Sequence, residues 1–498
     1  MKGCGGVGFV LGIDVGSQSV KAVLLDSDGI VRASTSEGLT MAHPRAGWAE
    51  QDPRDWEVAV VAVIAKALSQ AGLRGTEVVA LNLACQVDGV APLSATGQPV
   101  GPAIIWLDRR AGSQATELAT RIGARRLTET TGLIPDASHS GPKIMWLREN
   151  EPSVFASASA FPPAAGYLLH WLTNELAVDH ANASSSLLYD LRERRWSPEL
   201  LDVAGIEESK LGRILEASDV AGTISARAAQ ITGLSTSCAV LVGTGDDHAG
   251  SIGAGVVAPG FIADITGTAE PVTVASKELI LDDSGLVETH AHAVPGLYLV
   301  ENPGFVSGGS TLWLAEQVLG VSQAELFGLA SGAPAGSSGV IFVPALSGAT
   351  TPSWNGEMRG IFAGLAMSHT SKEMARAVLE GCAYALRDIT DRFAAMGLGH
   401  HEIRVVGGGA SSELWMQIKA DVTGRPVRGV LPKQATALGA GLLAAVAVGM
   451  FADLNEAVSR TVELAEEPQL PDTRTHDLYQ DSYGRYRALF DGVQGALA

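Results

Sequence analysis

Two related α/β domains are what this sequence predicts, and three observations predict them. Apolar runs of strand length end repeatedly in small, Gly- or hydroxyl-rich turns. Stretches of helical period stand between those runs, and such alternation belongs to α/β folds. The strand–turn–strand stretches at residues 9–25 and 261–274 echo one another, as an internal duplication would. The length of 498 residues agrees, since roughly 150 residues make one domain and a single core does not grow this large.

The elements follow in order. Phe9–Asp14 reads as a strand, Val15–Ser19 as a small polar turn, and Lys21–Leu25 as a second strand closed by the Asp26–Gly29 turn. Apolar residues recur at helical spacing from Asp55 to Leu73, with Asp52 before Pro53 as the start signal. The buried strand Val78–Ala84 runs into Cys85-Gln86-Val87-Asp88-Gly89, and Ala239–Val242 runs into Gly243-Thr244-Gly245-Asp246-Asp247. The Gly-rich segment Ala249–Ile262 carries no charge and is read as the junction, giving domains at 1–253 and 254–498. Beyond it, Phe261–Ile265 leads into Thr266-Gly267-Thr268, and Ile403–Val406 leads into Gly407-Gly408-Gly409 with a helix from Ser412. The uncharged stretch Gln434–Ala452 is rich in Ala and Gly and lacks an aromatic belt, so it reads as a buried helix and not a membrane span. Asp472–Arg485 reads as a C-terminal helix lying on the second domain.

Composition removes several classes of function. Hydrophobic residues make up 46% and charged residues 18%, which is the balance of a folded globular chain. The 35 Lys+Arg stand against 54 Asp+Glu, a net charge of −19, which leaves no electrostatic footprint for nucleic acid or an anionic membrane. An anionic ligand must therefore be held by backbone N–H groups, one placed cation or a metal ion. Cys4, Cys85, Cys238 and Cys382 are far apart and form neither a disulfide framework nor a zinc site, so a cytoplasmic location is expected. Lys2 precedes an apolar run, but Asp14 interrupts it and no cleavage site follows.

Four patches can carry chemistry. In Asp14-Val15-Gly16-Ser17-Gln18-Ser19-Val20-Lys21, a strand ends in a carboxylate and a hydroxyl-rich turn, and Lys21 adds a cation. Ser17, Gln18 and Ser19 can cradle a polyphosphate, and Asp14 fits there only through a bridging divalent cation, most simply Mg²⁺. A plain hairpin turn accounts for the same residues. Thr266-Gly267-Thr268 offers a second hydroxyl-rich turn, and Gly407–Ser412 lets a backbone approach a ligand or simply packs tightly. Asp246 and Asp247, read as adjacent residues of an extended segment, point in opposite directions. One can act as a general base while the other contacts substrate or caps His248 and the helix after it. His290 and His292 resemble a two-His metal face, but no further ligand can be assigned, and they read as core or solvent-facing histidines.

In this order the patches resemble the FGGY family of carbohydrate kinases over residues 9–450. The matching pieces include Asp14–Ser19, Ala103-Ile104-Ile105-Trp106-Leu107-Asp108-Arg109-Arg110, Thr131-Gly132, Lys143-Ile144-Met145-Trp146-Leu147, Asp179–Ser184 and Gly243–Asp247. The second half adds Phe342-Val343-Pro344, Thr351-Pro352-Ser353-Trp354, Arg359–Leu365, Arg376–Gly381, Gly407–Gly409 and Ala437-Leu438-Gly439-Ala440. The resemblance implies two actin-like domains of the ribonuclease-H type closing over a central cleft, and transfer of the γ-phosphoryl group of ATP, with Mg²⁺, to a sugar or polyol hydroxyl. It makes Asp246 the general base and Ser17–Ser19 the first phosphate turn. Gly267 and Thr268 become the second turn, and Gly308, Gly408, Gly409 and Ser412 the nucleotide side.

On the sugar side the resemblance points to Val87, Asp88, Asp247 and Trp106. Xylulose kinases usually carry Met-His where this chain has Val87-Asp88, and glycerol kinases carry Arg-Glu. Asp247 likewise replaces an Asn or Gln, so two donors have become acceptors. Ser138 and His139 fall where glycerol kinases place an aromatic contact. The overall likeness is greatest to xylulose kinases, which implies a pentulose substrate phosphorylated on its 5-hydroxyl. A kinase for an alditol such as erythritol, xylitol or arabinitol is the alternative, and a non-catalytic actin-like sensor is the alternative from another class. Family relatives are often dimers, but no interface is marked in the sequence.

Overall fold

A computed structural model describes residues 8–431 and 434–497 of the chain. The opening hairpin forms as its alternation predicts. β1 (Phe9–Val15) and β2 (Ser19–Leu25) pair antiparallel with Asp14 opposite Lys21, and β3 (Val31–Gly38) extends the meander. α1 (Pro53–Ala71) returns the chain to the sheet. The Asp52 side chain accepts from Arg54 N, Pro53 takes the first turn where no N–H is needed, and Gly72 in the left-handed region ends the helix. β4 (Val78–Cys85) then lies parallel to β1. Between β4 and β5 (Val220–Thr223), α2 (Ser140–Asn150) and several shorter helices build a separate apolar cluster that the sequence reading left unassigned. β6 (Ala239–Leu241) and β7 (Thr244–Gly245) both lie parallel to β4, so the first sheet runs β5-β6-β4-β1-β2-β3 with β7 on the end of β4.

After α3 (Asp246–Gly253) the arrangement repeats. β8 (Gly260–Thr266) and β9 (Ala269–Ser276) form an antiparallel hairpin. β10 (Glu288–Ala291) and β11 (Tyr298–Val306) follow, and β12 (His400–Gly407) and β13 (Val427–Gly429) complete the sheet order β10-β11-β9-β8-β12-β13. In both sheets the first strand of the hairpin has a parallel neighbour on one side and the antiparallel meander on the other. The echo between residues 9–25 and 261–274 is therefore a duplication of topology.

α4 (Ser371–Ala395) and α5 (Glu413–Thr423) pack together over the second sheet, and α6 (Ala435–Ala447) follows. α6 lies on β1 and β4 of the first sheet and against α3, which in turn meets β8 and β9. That position explains the uncharged stretch: a helix buried all round has no face on which a charge could be solvated. Among the described residues no helix is long and apolar enough to cross a membrane. The contact is as close as glycine permits. A Cβ on Gly439 would stand 1.9 Å from Ala249 O, and one on Gly12 would stand 2.0 Å from Ala437 O. Gly439→Val should therefore force α3 and α6 apart and cost roughly 3 kcal/mol in a urea titration; an unchanged midpoint would show that the helices can slide.

α7 (Thr473–Leu497) packs on α5 and α4, as the C-terminal segment predicts, and buries Tyr479, Tyr486 and Phe490 in the second core beside Tyr384. Cys85, Cys238 and Cys382 are buried free thiols, and Cys4 lies outside the described residues.

Candidate active site

β1, β4 and β7 run parallel and end together, with Val15 and Gly245 both level with Cys85. Loops leaving the carboxyl edge of such a sheet are where open α/β folds bind ligands, because backbone groups and side chains there are not consumed by the ladder. Three loops leave this edge: Gly16–Gln18, Gln86–Gly89 and the start of α3. Asp14 is buried at the end of β1, with Lys21 Nζ 3.4 Å from its carboxylate. Burial raises the Asp14 pKa and Lys21 opposes the rise. Gln51 ties the neighbouring loops together, donating to Ser17 O at 2.8 Å and accepting from Gln86 Nε2 at 2.8 Å. No signal in the sequence marked Gln51.

Asp246 and Asp247 are not in an extended segment, which corrects the sequence reading. Gly245 (φ −68°, ψ 149°) is the N-cap and the helix begins at Asp246, so the two are successive first-turn residues about 100° apart around the axis. Asp247 Oδ1 accepts from His248 N at 2.7 Å, and Asp246 Oδ1 accepts from Asp247 N at 3.1 Å. Burial, then the charges of Asp247 and Asp14, push Asp246 well above the usual carboxylate range. The charges of Asp14 and Asp247 thus both act on Asp246. The Thr244 hydroxyl donates to Asp179 at 2.7 Å and so anchors the strand that presents Asp246. Val87 packs on Gly245, where an added Cβ would come within 2.6 Å of Val87 Cγ1.

Asp88 is held in an unusual backbone state. Its φ is 64°, and Gly89 N donates to Val87 O at 2.7 Å, a γ-turn of the rarer, strained hand. The turn is fixed from behind by Lys143 Nζ, which donates to Asp88 O at 2.9 Å and to Ser138 O. His139 Nδ1 lies 3.3 Å from Asp88 Oδ1 and 2.9 Å from Ser185 O, while Nε2 lies 3.1 Å from Ile134 O and 3.5 Å from Glu288 Oε1. Every partner of the ring is an acceptor, so both nitrogens donate and the ring is an imidazolium. Burial works against that charge, but Asp88 and Glu288 outweigh it and raise the His139 pKa well above its usual value. Burial brings Lys143 down to about 7.

The likeness to glycerol kinases pointed to Ser138 and His139; the structure brings His139 to Asp88, whereas the Ser138 carbonyl serves Lys143. Lys143 was given no role in the sequence reading, although a lysine heading the apolar run Ile144-Met145-Trp146-Leu147 could have marked it. Trp106 is half-buried just past Ile104, whose backbone pairs with Val90, so it stands beside the Asp88 turn.

A second group gathers at the carboxyl edge of the other sheet, where Thr266 and Gly407 end level. Gly267 and Thr268 are exposed on the turn after β8. Gly308 N and Gly309 N donate to Gly267 O and Thr268 O at 3.1 and 3.0 Å, which clasps the Gly308 segment to that turn. A Cβ on Gly308 would lie 2.3 Å from Gly267 O and one on Gly409 would lie 2.8 Å from Thr266, whereas Gly408 is exposed and faces open space. Ser412 is buried and its hydroxyl accepts from Trp415 N at 3.3 Å, so it starts α5 and is already engaged. Among the described residues no hydrogen bond or ion pair joins the Gly16–Ser19 turn to the Gly267–Thr268 turn. His290 and His292 are buried and meet the ring of His248 edge-on at 5.9 and 5.6 Å. They are core histidines, and among the described residues no three His, Cys, Asp or Glu side chains could hold a metal.

Comparison with known proteins agrees with this layout. The sequence model of the N-terminal domain of the FGGY family of carbohydrate kinases matches residues 9–253, and that of the C-terminal domain matches residues 263–448. A xylulose kinase of Escherichia coli (strain K12) is 31% identical over 98% of this chain and 100% of its own length. A xylulose kinase of Lactococcus lactis is 30% identical over 97% and 96%. A glycerol kinase of Thermococcus kodakarensis is 29% identical over 95% of each chain. Among solved structures, a ligand-bound xylulose kinase from Lactobacillus acidophilus superposes with a TM-score of 0.90 at 26% identity, covering 98% of this chain and 100% of that one. A gluconate kinase from the same organism reaches 0.89 at 25% identity, covering 98% of each. The two sheets and the helices between them are thus the two actin-like domains that the resemblance implied.

Proposed function

The chain belongs to the FGGY family of carbohydrate kinases and is a phosphotransferase, and from that premise we propose that it transfers the γ-phosphoryl group of ATP to the 5-hydroxyl of a pentulose such as xylulose, with Asp246 as general base. The observation that carries the reading is the position of Asp246, at a helix start on the carboxyl edge of the first sheet, where the charges of Asp247 and Asp14 act on it and Val87 packs on Gly245 just before it. A base whose pKa is raised holds the proton of an attacking hydroxyl better than an ordinary carboxylate does. Asp246 takes that proton on its carboxylate oxygen as the hydroxyl oxygen turns toward phosphorus.

The nucleotide side fits ATP. Exposed Thr268 presents its hydroxyl to phosphate oxygens, and Gly408 leaves room for close approach. Asp14 with the hydroxyls of Ser17 and Ser19 fits Mg²⁺, which keeps several waters and phosphate oxygens and needs only one or two protein carboxylates. When bound, Mg²⁺ neutralises charge on the phosphates. Lys21 offsets Asp14 and Gln51 holds the Ser17 carbonyl, so the first turn is ordered by this chain's own residues. Gly308→Val would push the Gly267–Thr268 turn aside, and it should raise the ATP KM at least about tenfold with the sugar KM unchanged; equal changes in both would assign Gly308 to folding alone.

For the acceptor, Asp88 and Asp247 accept hydrogen bonds, while His139 and Lys143 behind them are already engaged. Such a pocket suits a ligand whose hydroxyls donate and disfavours a sugar acid, whose carboxylate would face like charges. The same observation favours a second reading, an alditol kinase, because each carbon of an alditol offers a donor. Asp88→Asn keeps the backbone turn and removes the charge, and it should raise the sugar KM about tenfold with ATP KM unchanged. The deciding experiment is ADP release with Mg·ATP across D-xylulose, D- and L-ribulose, L-xylulose, glycerol, erythritol, xylitol, arabinitol and gluconate. Turnover with a pentulose supports the proposal, and turnover with an alditol alone supports the second reading. Silence with ATP still bound, or gluconate as the best substrate, overturns both.

A further inference from the structure

The sugar-facing carboxylates of the first half are buttressed from the second half. β10 is the edge strand of the second sheet, and its outer side docks on the first half. Thr289 N donates to Gly132 O at 2.9 Å and Ala291 N to Ser184 Oγ at 3.1 Å. A Cβ on Gly132 would stand 2.1 Å from Thr289 O, so glycine alone permits this seat. Glu288 and Glu301 lie directly opposite one another across β10 and β11, and each is 3% exposed. Glu288 Oε1 accepts from Ile134 N at 2.8 Å and lies 3.5 Å from His139 Nε2, the ring whose other nitrogen lies beside Asp88. Glu301 Oε1 lies 3.1 Å from His290 Nε2. The Asp247 carboxyl shares a hydrogen bond with Glu301, and its pKa rises through burial first and the charge of Glu301 second.

We propose that Glu288 and Glu301 are positioning residues for the sugar, Glu288 holding Asp88 through His139 and Glu301 setting the placement of Asp247. The inference rests on the reading of Asp88 and Asp247 as sugar contacts. Burial first and the facing Glu288 second push Glu301 up to about 8, and a well-packed apolar pair would serve a merely structural hairpin better. Instead Glu288 meets the ring that holds Asp88, and Glu301 meets Asp247 itself. β11 is also fixed at its far end, where Ser307 N and Gly309 N donate to Thr268 O at 3.2 and 3.0 Å. One strand therefore runs from the sugar pocket to the second phosphate turn, and the acceptor is read by both halves.

Glu301→Gln and Glu288→Gln in the full-length chain test this, with the sugar that the wild type turns over. Each should raise the sugar KM about tenfold and leave the ATP KM within about twofold. Adding Asp88→Asn to Glu288→Gln should cost less than the product of the two single effects, because both act on one arm. If Glu301→Gln does not fold, Glu288→Gln and its double variant carry the same test. Unchanged sugar KM in the folded variants, or equal rises in both KM values, overturns the inference alone. A wild type that phosphorylates no sugar overturns the reading of the site, and this inference with it.

Discussion

Asp246→Asn is expected to lower kcat about 10³-fold, with nucleotide affinity unchanged and the fold intact. The size follows from losing a general base, which contributes typically 10²–10⁴-fold. The selectivity follows from position. Asp246 opens α3 on the first sheet, whereas the Gly267–Thr268 turn and the glycines that clasp it lie on the second. Asp246 follows the Gly245 N-cap, and an asparagine Oδ1 can still accept from Asp247 N, so α3 should form normally. Asp246 is also raised by burial first and then by Asp247 and Asp14, so removing its charge relieves both desolvation and repulsion and the melting temperature should hold or rise. A catalytic loss with undiminished stability separates chemistry from folding. The measurement is steady-state ADP release beside ADP binding and thermal melting. A loss of tenfold or less would mean that another group takes the proton, and Asp247 is the next carboxylate on the same helix turn.

Much of this site was legible in the sequence because its signals are local. A strand ending in Asp14 and a hydroxyl-rich turn, or in Thr266-Gly267-Thr268, announces itself within a few residues, and so does the cap at Asp52. What escaped depends on distant pairing. Glu288 reaches His139 and Ile134 across the two halves, and Gln51 reaches both Ser17 and Gln86, with no periodicity to reveal either. The error at Asp246 and Asp247 is of another kind. Gly243-Thr244-Gly245 reads as a turn, but β7 and the helix start occupy it, and one residue of displaced boundary changes where two carboxylates point. His290 and His292 left two options open because alternation along a strand cannot tell a solvent face from a face covered by another domain. The helix at Ala435–Ala447 was recognised as buried from composition, but its partner was not, since an Ala- and Gly-rich surface fits many others.

Lys419→Met should cost about 3–5 kcal/mol of stability, the penalty for leaving buried carboxylates without their cation. Lys419 lies on α5, almost wholly buried, and its Nζ donates to Asp264 at 2.6 Å, to the Thr266 hydroxyl at 2.9 Å and to Glu270 at 3.0 Å. Glu270 also accepts from the Ser307 hydroxyl. The cation therefore ties together the end of β8, the start of β9 and, through Glu270, the residue before Gly308, which are the three segments that shape the Gly267–Thr268 turn. Burial first, then Asp264, pushes the Glu270 carboxyl up to about 8, against the pull of Lys419. Without the lysine the carboxylates must take up protons to stay buried. The unfolded chain gives those protons up above about pH 4.5, so holding them costs more as the pH rises. The deficit measured by urea titration should accordingly be larger at pH 8 than at pH 6. Adding Glu270→Gln and Asp264→Asn should recover part of it, because the buried charge is then gone. The ATP KM should rise in the single variant, since Thr266 and Ser307 lose a common anchor, while the sugar KM stays in place. A pH-independent deficit would show that Lys419 contributes packing and not charge, and unchanged ATP use would detach this ion network from the nucleotide turn above it.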